Sequence, residues 1–176
     1  MMSNEECDKK FFLDTPYPEI KVSSPNPDYA KILLKDYAGA ISEFSAIAQY
    51  EYGAFRLSKA YPKISNALAC IARTEMKHLK IIASLIVELG EDPKYGIIRR
   101  NRTLFWDASF VNYDATVEAI LKQNIQDETM QIAEYNETIS AIPDPDIQAV
   151  LKRIIQDEQL HIQILNAIVK ATPQLY

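Results

Sequence analysis

The sequence predicts an all-α protein, a four-helix bundle made of two antiparallel helical hairpins that one long crossover joins. Three observations lead to this prediction. The 176 residues include only four glycines, and four long stretches with helical periodicity contain no internal proline. Short turns separate the first stretch from the second and the third from the fourth, so each pair should form a hairpin. Roughly 23 residues separate the second stretch from the third, enough extended chain to span a bundle.

The expected elements follow in order along the chain. Residues 1–27 contain four prolines, which favour an extended arm that either clasps another subunit or is disordered. Residues 28–176 should form the bundle domain. The first helix should begin near Asp28, a possible N-cap, and run unbroken to Leu57. The others are expected at about residues 62–90, at about 114–141, and from within 143–146 to about 170.

Composition narrows the function classes. The hydrophobic fraction of 48% and the charged fraction of 24% are typical of a globular protein. A net charge of −5 without a basic stripe argues against a nucleic-acid partner. No apolar run reaches the length of a membrane span, and the N-terminus is too polar for a signal peptide, so we expect no membrane partner. Cys7 and Cys70 form no Cys-x-x-Cys pair, which predicts reduced thiols and a cytoplasmic location.

The two histidines of the chain each stand three residues after a glutamate. Glu75 precedes His78, and Glu158 precedes His161. Residues three apart share one face of a helix, so each motif aims a carboxylate and an imidazole in the same direction. Both motifs interrupt apolar seams that should face the core, where an unpaired carboxylate would be costly. A shared metal centre accounts for both facts.

The two halves of the chain repeat one pattern. Glu43 in the first half and Glu128 in the second are each followed seven residues later by a tyrosine. With the first turn near residue 60, Glu43 lies about 17 residues before it and Glu75 about 15 after it, which places both at one height. Glu128 and Glu158 each lie about 15 residues from the second turn. All four glutamates should therefore meet at mid-bundle.

Four carboxylates and two neutral imidazoles balance the charge of two divalent cations. An oxygen-rich set favours iron or manganese over structural zinc. One glutamate from each of two helices, with Glu-x-x-His from each of the others, is typical of di-iron and di-manganese carboxylate bundles. The predicted ligands are Glu43, Glu75, His78, Glu128, Glu158 and His161.

Further residues are expected around this site. Tyr50 and Tyr135 are predicted to hydrogen-bond a carboxylate of the opposite hairpin, the alternative being plain core packing. Asn124 and Asp157 are predicted to accept the free ring N–H of a liganding histidine. The first half has a glycine and a threonine at the corresponding positions, so the two metals should be inequivalent. Additional or alternative acidic ligands are Asp36, Glu51, Glu118 and Glu134.

These residues resemble a known family. The motifs that carry the resemblance are Ser42-Glu43 through Tyr50, Glu75-x-x-His78, Asp127-Glu128 and Asp157-Glu158-x-x-His161. They resemble the ferritin-like superfamily, in particular rubrerythrins, whose ligands would be the six residues already named. The segment Pro25–Lys31, which leads into the first helix, is also similar to manganese catalases and their spore-coat relatives. The chain lacks the Cys-x-x-Cys pairs of a rubredoxin-like site, and it has Asn124 and Ile125 where rubrerythrins usually carry a further glutamate.

The resemblance implies a rubrerythrin-like peroxidase that reduces hydrogen peroxide and takes electrons from an external rubredoxin-type donor. Three alternatives stay open: manganese-catalase-like disproportionation of peroxide, ferritin-like iron oxidation with dioxygen and storage, and a metal-stapled, coat-like structural protein. A homodimer or a larger homo-oligomer is expected, and iron storage would require a large hollow assembly.

Overall fold

The computed structural model describes residue 7, residues 10–100 and residues 102–172. From residue 27 onward, the described helices are α1 (Pro27–Ala38), α2 (Glu43–Leu57), α3 (Pro62–Glu88), α4 (Val117–Ala141) and α5 (Pro145–Ala171). Helices α2 and α3 pack as one antiparallel hairpin and α4 and α5 as the other, so the predicted two-hairpin bundle is confirmed. The crossover between α3 and α4 contains a small antiparallel hairpin, β1 (Gly96–Arg99) and β2 (Arg102–Phe105), and a 3₁₀ turn at residues 108–110.

The prediction of one unbroken first helix is wrong, because the helix is interrupted at residues 39–42. Gly39 ends α1 with an extended backbone, and its N–H donates to the Lys35 carbonyl at 2.9 Å. Ser42 then caps α2 by accepting a hydrogen bond from the Ser45 N–H at 3.2 Å. The new start places Glu43 in the first turn of α2, where the positive end of the helix dipole favours a carboxylate.

Replacing Gly39 by alanine should destabilise the fold by about 1–3 kcal/mol, the usual cost of overpacking. A Cβ at this position would lie 2.5 Å from the Lys35 carbonyl oxygen, so the backbone would have to shift. Urea denaturation of Gly39→Ala measures the effect, and Ala40→Ser, at an exposed neighbouring position, is the matched control. An unchanged midpoint for Gly39→Ala would show that the break does not depend on glycine.

The helix starts are set by side-chain caps. Asn26, and not the predicted Asp28, caps α1: its side-chain oxygen accepts from the N–H groups of Asp28 and Tyr29. Thr116 caps α4, which begins three residues later than expected. Asp144 caps α5 from within the predicted window. Each cap satisfies backbone N–H groups that the first helical turn leaves without partners.

Two apolar clusters flank a buried polar layer. On α3, Leu68 and Ile71 belong to one cluster, whereas Leu79 and Ile82 belong to the other. Glu75 and its histidine lie between them on the same helix, and both are buried. The corresponding residues of α4 and α5 divide in the same way. The polar layer is therefore enclosed on both sides by close-packed aliphatic side chains, which keep water out.

Residues 11–26, which contain no helix or strand, pack on the bundle of their own chain, so the prediction of disorder is wrong for them. The Leu13 N–H donates to Asp157 at 2.8 Å, and the Ser23 N–H donates to Asp144 at 2.8 Å. Whether this arm also clasps another subunit stays a prediction. Within the described ranges, no helix has the length and apolar character that crossing a membrane requires.

The expectation of reduced thiols is also wrong. Cys7 and Cys70 form a disulfide, with their Cα atoms 5.1 Å apart. The two residues are 63 positions apart, and only the fold-back of the arm along α3 brings them together. The cytoplasmic location predicted from free thiols loses this support, because disulfides are rare in reducing compartments.

Candidate metal centre

Six side chains meet in the polar layer at mid-bundle, and none is more than 4% exposed. They come from four helices: α2, α3, α4 and α5. Their potential ligand atoms form two groups, each with all of its atoms within 4.8 Å of one another. Glu75 and Glu158, the glutamates of the two Glu-x-x-His motifs, belong to both groups. The first group adds Glu43 and His78, and the second adds Glu128 and His161.

Both histidines aim Nδ1 at the shared carboxylates. His78 Nδ1 lies 3.0 Å from Glu75 Oε2 and 3.1 Å from Glu158 Oε1. His161 Nδ1 lies 2.8 Å from Glu75 Oε1 and 3.0 Å from Glu158 Oε2. Each ring also faces the unshared glutamate of its own group, at 3.6 Å for Glu43 and 3.3 Å for Glu128. The two rings thus face one cluster of oxygen atoms from opposite hairpins.

The hydrogen bond that His161 makes through Nε2 determines whether its other ring nitrogen, Nδ1, can bind a metal ion. Its Nε2 lies 2.9 Å from the Phe11 carbonyl oxygen, which can only accept, so Nε2 carries the hydrogen. In the neutral ring Nδ1 then presents a lone pair to three carboxylates. This lone pair and the negative carboxylate oxygens repel one another unless a cation or a proton lies between them. The arrangement therefore fits a metal-liganding imidazole.

The carboxylates themselves also fit a pair of metal ions. Glu43 Oε2, Glu75 Oε1 and Glu158 Oε1 are buried and receive no hydrogen bond within the described residues. Leaving such atoms without partners costs free energy. Four carboxylates and two neutral imidazoles carry a charge of −4, which two divalent cations would neutralise. A set of four carboxylates and two imidazoles suits iron or manganese.

Two tyrosines bind the unshared glutamates across the hairpins. Tyr50 of α2 donates to Glu128 Oε1 of α4, and Tyr135 of α4 donates to Glu43 Oε1 of α2. The cross-hairpin contacts expected from the sequence are therefore present. Sequence reasoning missed Gln131, whose Nε2 lies 3.2 Å from the same Glu43 oxygen. Its position one turn before Tyr135 on a buried face was the available signal.

The outer partners of the histidines differ from the prediction. His78 Nε2 lies 3.2 Å from Asp157 Oδ2, so Asp157 lies where it was expected. Asn124 does not accept from a histidine: its buried side chain has no hydrogen-bond partner in the described parts of the chain. His161 instead uses the backbone carbonyl of Phe11 in the arm. A backbone acceptor carries no residue-type signal, so sequence reasoning could not find it.

The other acidic candidates lie outside both groups. Asp36 accepts a hydrogen bond from Thr138 Oγ1 at 2.7 Å, and burial raises its pKa to about 7. Glu134 pairs with Lys35 at the surface of the bundle. The groups that could hold a metal ion, as found in the described residues, include none of Asp36, Glu51, Glu118 and Glu134.

In the absence of metal, burial and neighbouring charges favour protonation of this cluster. Burial, reinforced by neighbouring carboxylates, raises the pKa of Glu43 and Glu128 well above the usual value. Burial lowers the pKa of His78 and His161, but the facing carboxylates outweigh it and raise both well above the usual range. Four added protons supply the same charge as two divalent cations. Metal ions and protons therefore compete for the centre.

We expect the metal-free protein to lose stability as the pH rises. The two glutamates and two histidines with raised pKa values hold protons in the folded state. The unfolded chain releases these protons above pH 4.5 for glutamate and above pH 6.5 for histidine. The folded state then binds more protons than the unfolded state, so the free energy of unfolding falls with rising pH. Urea denaturation at about pH 5 and about pH 8 measures this fall. The metal-loaded protein is the control, since its ligands carry no protons to lose, and parallel pH profiles for the two forms would contradict the account.

The comparisons with known proteins bear on this geometry. Residues 37–169 match the family model of rubrerythrin, and that range contains all six residues of the centre. The chain belongs to the rubrerythrin family. This family member is also 35% identical over 79 residues to Protein CotJC of Bacillus subtilis (strain 168). That match covers 43% of the chain and 38% of CotJC.

Solved structures share the fold. KatB, a manganese catalase from Anabaena, is 25% identical with a TM-score of 0.82, over 94% of this chain and 81% of KatB. The bacterioferritin of Desulfovibrio desulfuricans, a diiron-site protein, is 24% identical with a TM-score of 0.70, over 84% of this chain and 81% of its own. The bacterioferritin of Rhodobacter capsulatus is 17% identical with a TM-score of 0.72, over 87% of this chain and 90% of the bacterioferritin chain. The predicted ferritin-like fold and the rubrerythrin resemblance are both confirmed.

Proposed function

We propose that this protein holds two iron or manganese ions and acts as an oxidoreductase on hydrogen peroxide. The observation that carries the proposal is the sharing of Glu75 and Glu158 between two ligand groups. Shared carboxylates would hold two cations side by side, and a pair of redox-active ions supplies the two electrons that cleavage of one O–O bond requires. The protein contributes the geometry and the exclusion of water.

A small cavity supports a substrate of this size. It has a volume of about 30 Å³ and is lined by residues of α2 and α4 and by Phe110 of the crossover. Gln131 lines the cavity and also donates to Glu43, so it connects the cavity to the centre. One water molecule needs about 10–15 Å³ of such space. The cavity therefore has room for a molecule of two heavy atoms, such as hydrogen peroxide or dioxygen.

The tyrosines keep the unshared carboxylates in place. Burial and the neighbouring carboxylates raise the pKa of Tyr50 and Tyr135 well above the usual value, so both hydroxyls stay protonated and donate. Each hydroxyl contacts a glutamate of the other hairpin and so opposes sliding of α2 against α4. We infer that these contacts hold Glu43 and Glu128 while a substrate binds and leaves.

Between the two peroxide reactions, we favour disproportionation. The similarity to a manganese catalase over 94% of the chain supports it, and disproportionation needs no electron donor. Peroxide reduction with an external donor is the second candidate, supported by the rubrerythrin match. The chain has two cysteines and no Cys-x-x-Cys pair, so this second reaction would need a separate donor protein.

Oxygen evolution separates the two candidates. The full-length protein, loaded with manganese or iron, is given hydrogen peroxide with and without reduced rubredoxin. Disproportionation should release one dioxygen for every two peroxide molecules without the donor, whereas a peroxidase should consume peroxide only with the donor and release none. A sample that holds two metal ions and consumes no peroxide under either condition would refute the proposed function. A large hollow assembly that stores iron would instead favour the ferritin-like alternative.

A further inference from the structure

The arm supplies the outer contacts of both histidines. The Phe11 carbonyl oxygen lies 2.9 Å from His161 Nε2 and accepts from Thr74 Oγ1 at 3.3 Å. Tyr17 places its hydroxyl 3.1 Å from His78 Nε2. No helix of the bundle supplies either of these oxygens. The orientation of the two rings therefore depends partly on where the arm lies.

Two anchors hold this stretch of the arm, and they lie at opposite ends of it. At the Phe11 end, the disulfide ties Cys7 to Cys70 of α3, and the Phe11 N–H donates to the Cys7 carbonyl at 3.1 Å. At the Tyr17 end, the Arg153 guanidinium lies over the Tyr17 ring at 4.5 Å. Arg153 also donates to the Leu13 and Thr15 carbonyls, at 2.8 Å each. The disulfide therefore holds the part of the arm that contacts His161. Arg153 holds the part that contacts His78.

We propose that the Cys7–Cys70 disulfide is a redox-dependent lock that keeps Phe11 in position against His161. Phe11 acts through His161 and is thus a positioning residue, which would orient that ring toward its metal ion. With the disulfide reduced, the Phe11 carbonyl loses its tether and His161 Nε2 loses its acceptor. His78 keeps Asp157, which belongs to α5 and does not depend on the lock. Opening the lock should therefore weaken one metal position more than the other.

The lock can open and close by balanced reactions. A dithiol reductant passes two electrons and two protons to the S–S bond, which breaks to give two thiols, while the reductant forms its own disulfide. In the reverse direction the two thiols give two electrons and two protons to hydrogen peroxide, whose O–O bond breaks to yield two waters as the disulfide forms. The proposed substrate would thus restore the lock. The inference rests on the proposed metal centre and not on peroxide turnover.

Metal release tests the lock. The full-length protein is loaded with two manganese ions, treated or not with dithiothreitol, and transferred to excess chelator. The oxidised protein should release both ions slowly. The reduced protein and the Cys7→Ser/Cys70→Ser variant should release one ion about tenfold faster or more, with the other unchanged, as expected for loss of an outer partner of one ligand. Alkylation and mass measurement give the thiol count, and hydrogen exchange at residues 11–13 reports whether the arm opens.

The control is dithiothreitol added to the double variant, which should change nothing because no disulfide remains. Release of both ions at unchanged rates from reduced protein with two counted thiols would refute the lock. Equal acceleration of both ions would also refute it, because general loosening would explain that result without positioning. Oxidised protein that binds no manganese would refute the metal centre itself, a separate failure. If the double variant does not fold, the reduced and oxidised wild-type samples decide.

Discussion

Replacing Glu158 by glutamine should leave the protein unable to hold either metal ion, whereas replacing Glu128 should remove only one. Glu158 belongs to both ligand groups, but Glu128 belongs to the second group alone. Glutamine keeps the size of the side chain and removes the charge, so each group that contains the substitution loses one anionic ligand. The measurement is metal content per chain after loosely bound ions have been removed. We expect close to zero ions for Glu158→Gln and about one for Glu128→Gln.

The matched control is Glu134→Gln. Glu134 lies on α4 as Glu128 does, but its carboxylate pairs with Lys35 outside both groups. The Glu134→Gln variant should keep both ions. Circular dichroism of all three variants checks that the helices are intact. Two ions retained by Glu158→Gln would refute the centre, and equal losses in Glu128→Gln and Glu158→Gln would refute the sharing of carboxylates.

Much of this centre could be predicted because its residues recur at helical spacing in the sequence. Glutamate and histidine three residues apart must share a helix face, and counting residues from the turns fixes their heights. The fold followed from the same reasoning, since two short connections and one long one leave few ways to assemble four amphipathic helices. Tyr50 and Tyr135 were found for the same reason, at equal spacing from equivalent glutamates. Because an α-helix has a fixed rise and rotation per residue, the spacing of these residues in the sequence determines where they lie on the helix.

The rest depends on contacts that sequence spacing does not encode. The break at Gly39 reflects a close approach to the Lys35 carbonyl, visible only once the backbone is placed. The Phe11 carbonyl is a backbone atom and could belong to any residue type. The disulfide depends on the path of an arm without helical or strand periodicity. Each of these features is a product of tertiary structure.

The inequivalence of the two metals stays a prediction, but the structure gives it a different basis from the one expected. It was inferred from Gly39 and Thr74 standing where the second half has Asn124 and Asp157. Asn124 makes no hydrogen bond to either histidine within the described residues, whereas Thr74 donates to the same Phe11 carbonyl that His161 uses. The outer nitrogen of His78 faces both Asp157 of the bundle and Tyr17 of the arm, whereas that of His161 faces the backbone of the arm. The two rings therefore differ in their outer partners, and the arm contributes to both.

Replacing Arg153 by leucine should destabilise the fold by about 3–5 kcal/mol, because it leaves a buried carboxylate without its cation. Arg153 is 4% exposed, and its Nη1 lies 2.8 Å from Asp157 Oδ2. Burial raises the pKa of Asp157, but hydrogen bonds from His78, the Leu13 N–H and Tyr17 outweigh it and hold the pKa at about 2. Asp157 therefore stays ionised across the neutral range, and its charge would remain in the core of the variant.

Urea denaturation at neutral pH measures this loss, with Lys152→Leu, at the exposed neighbouring position, as the matched control. The double variant Arg153→Leu/Asp157→Asn should recover part of the stability, since removing both partners leaves no buried charge unpaired. Asp157 takes up a proton in the folded protein only as the pH falls toward 2, and a neutral carboxyl leaves no charge unpaired. The difference in stability between wild type and Arg153→Leu should therefore shrink in acid. A loss within the range of Lys152→Leu would show that the arm, and with it the outer contact of His78, does not depend on this cation.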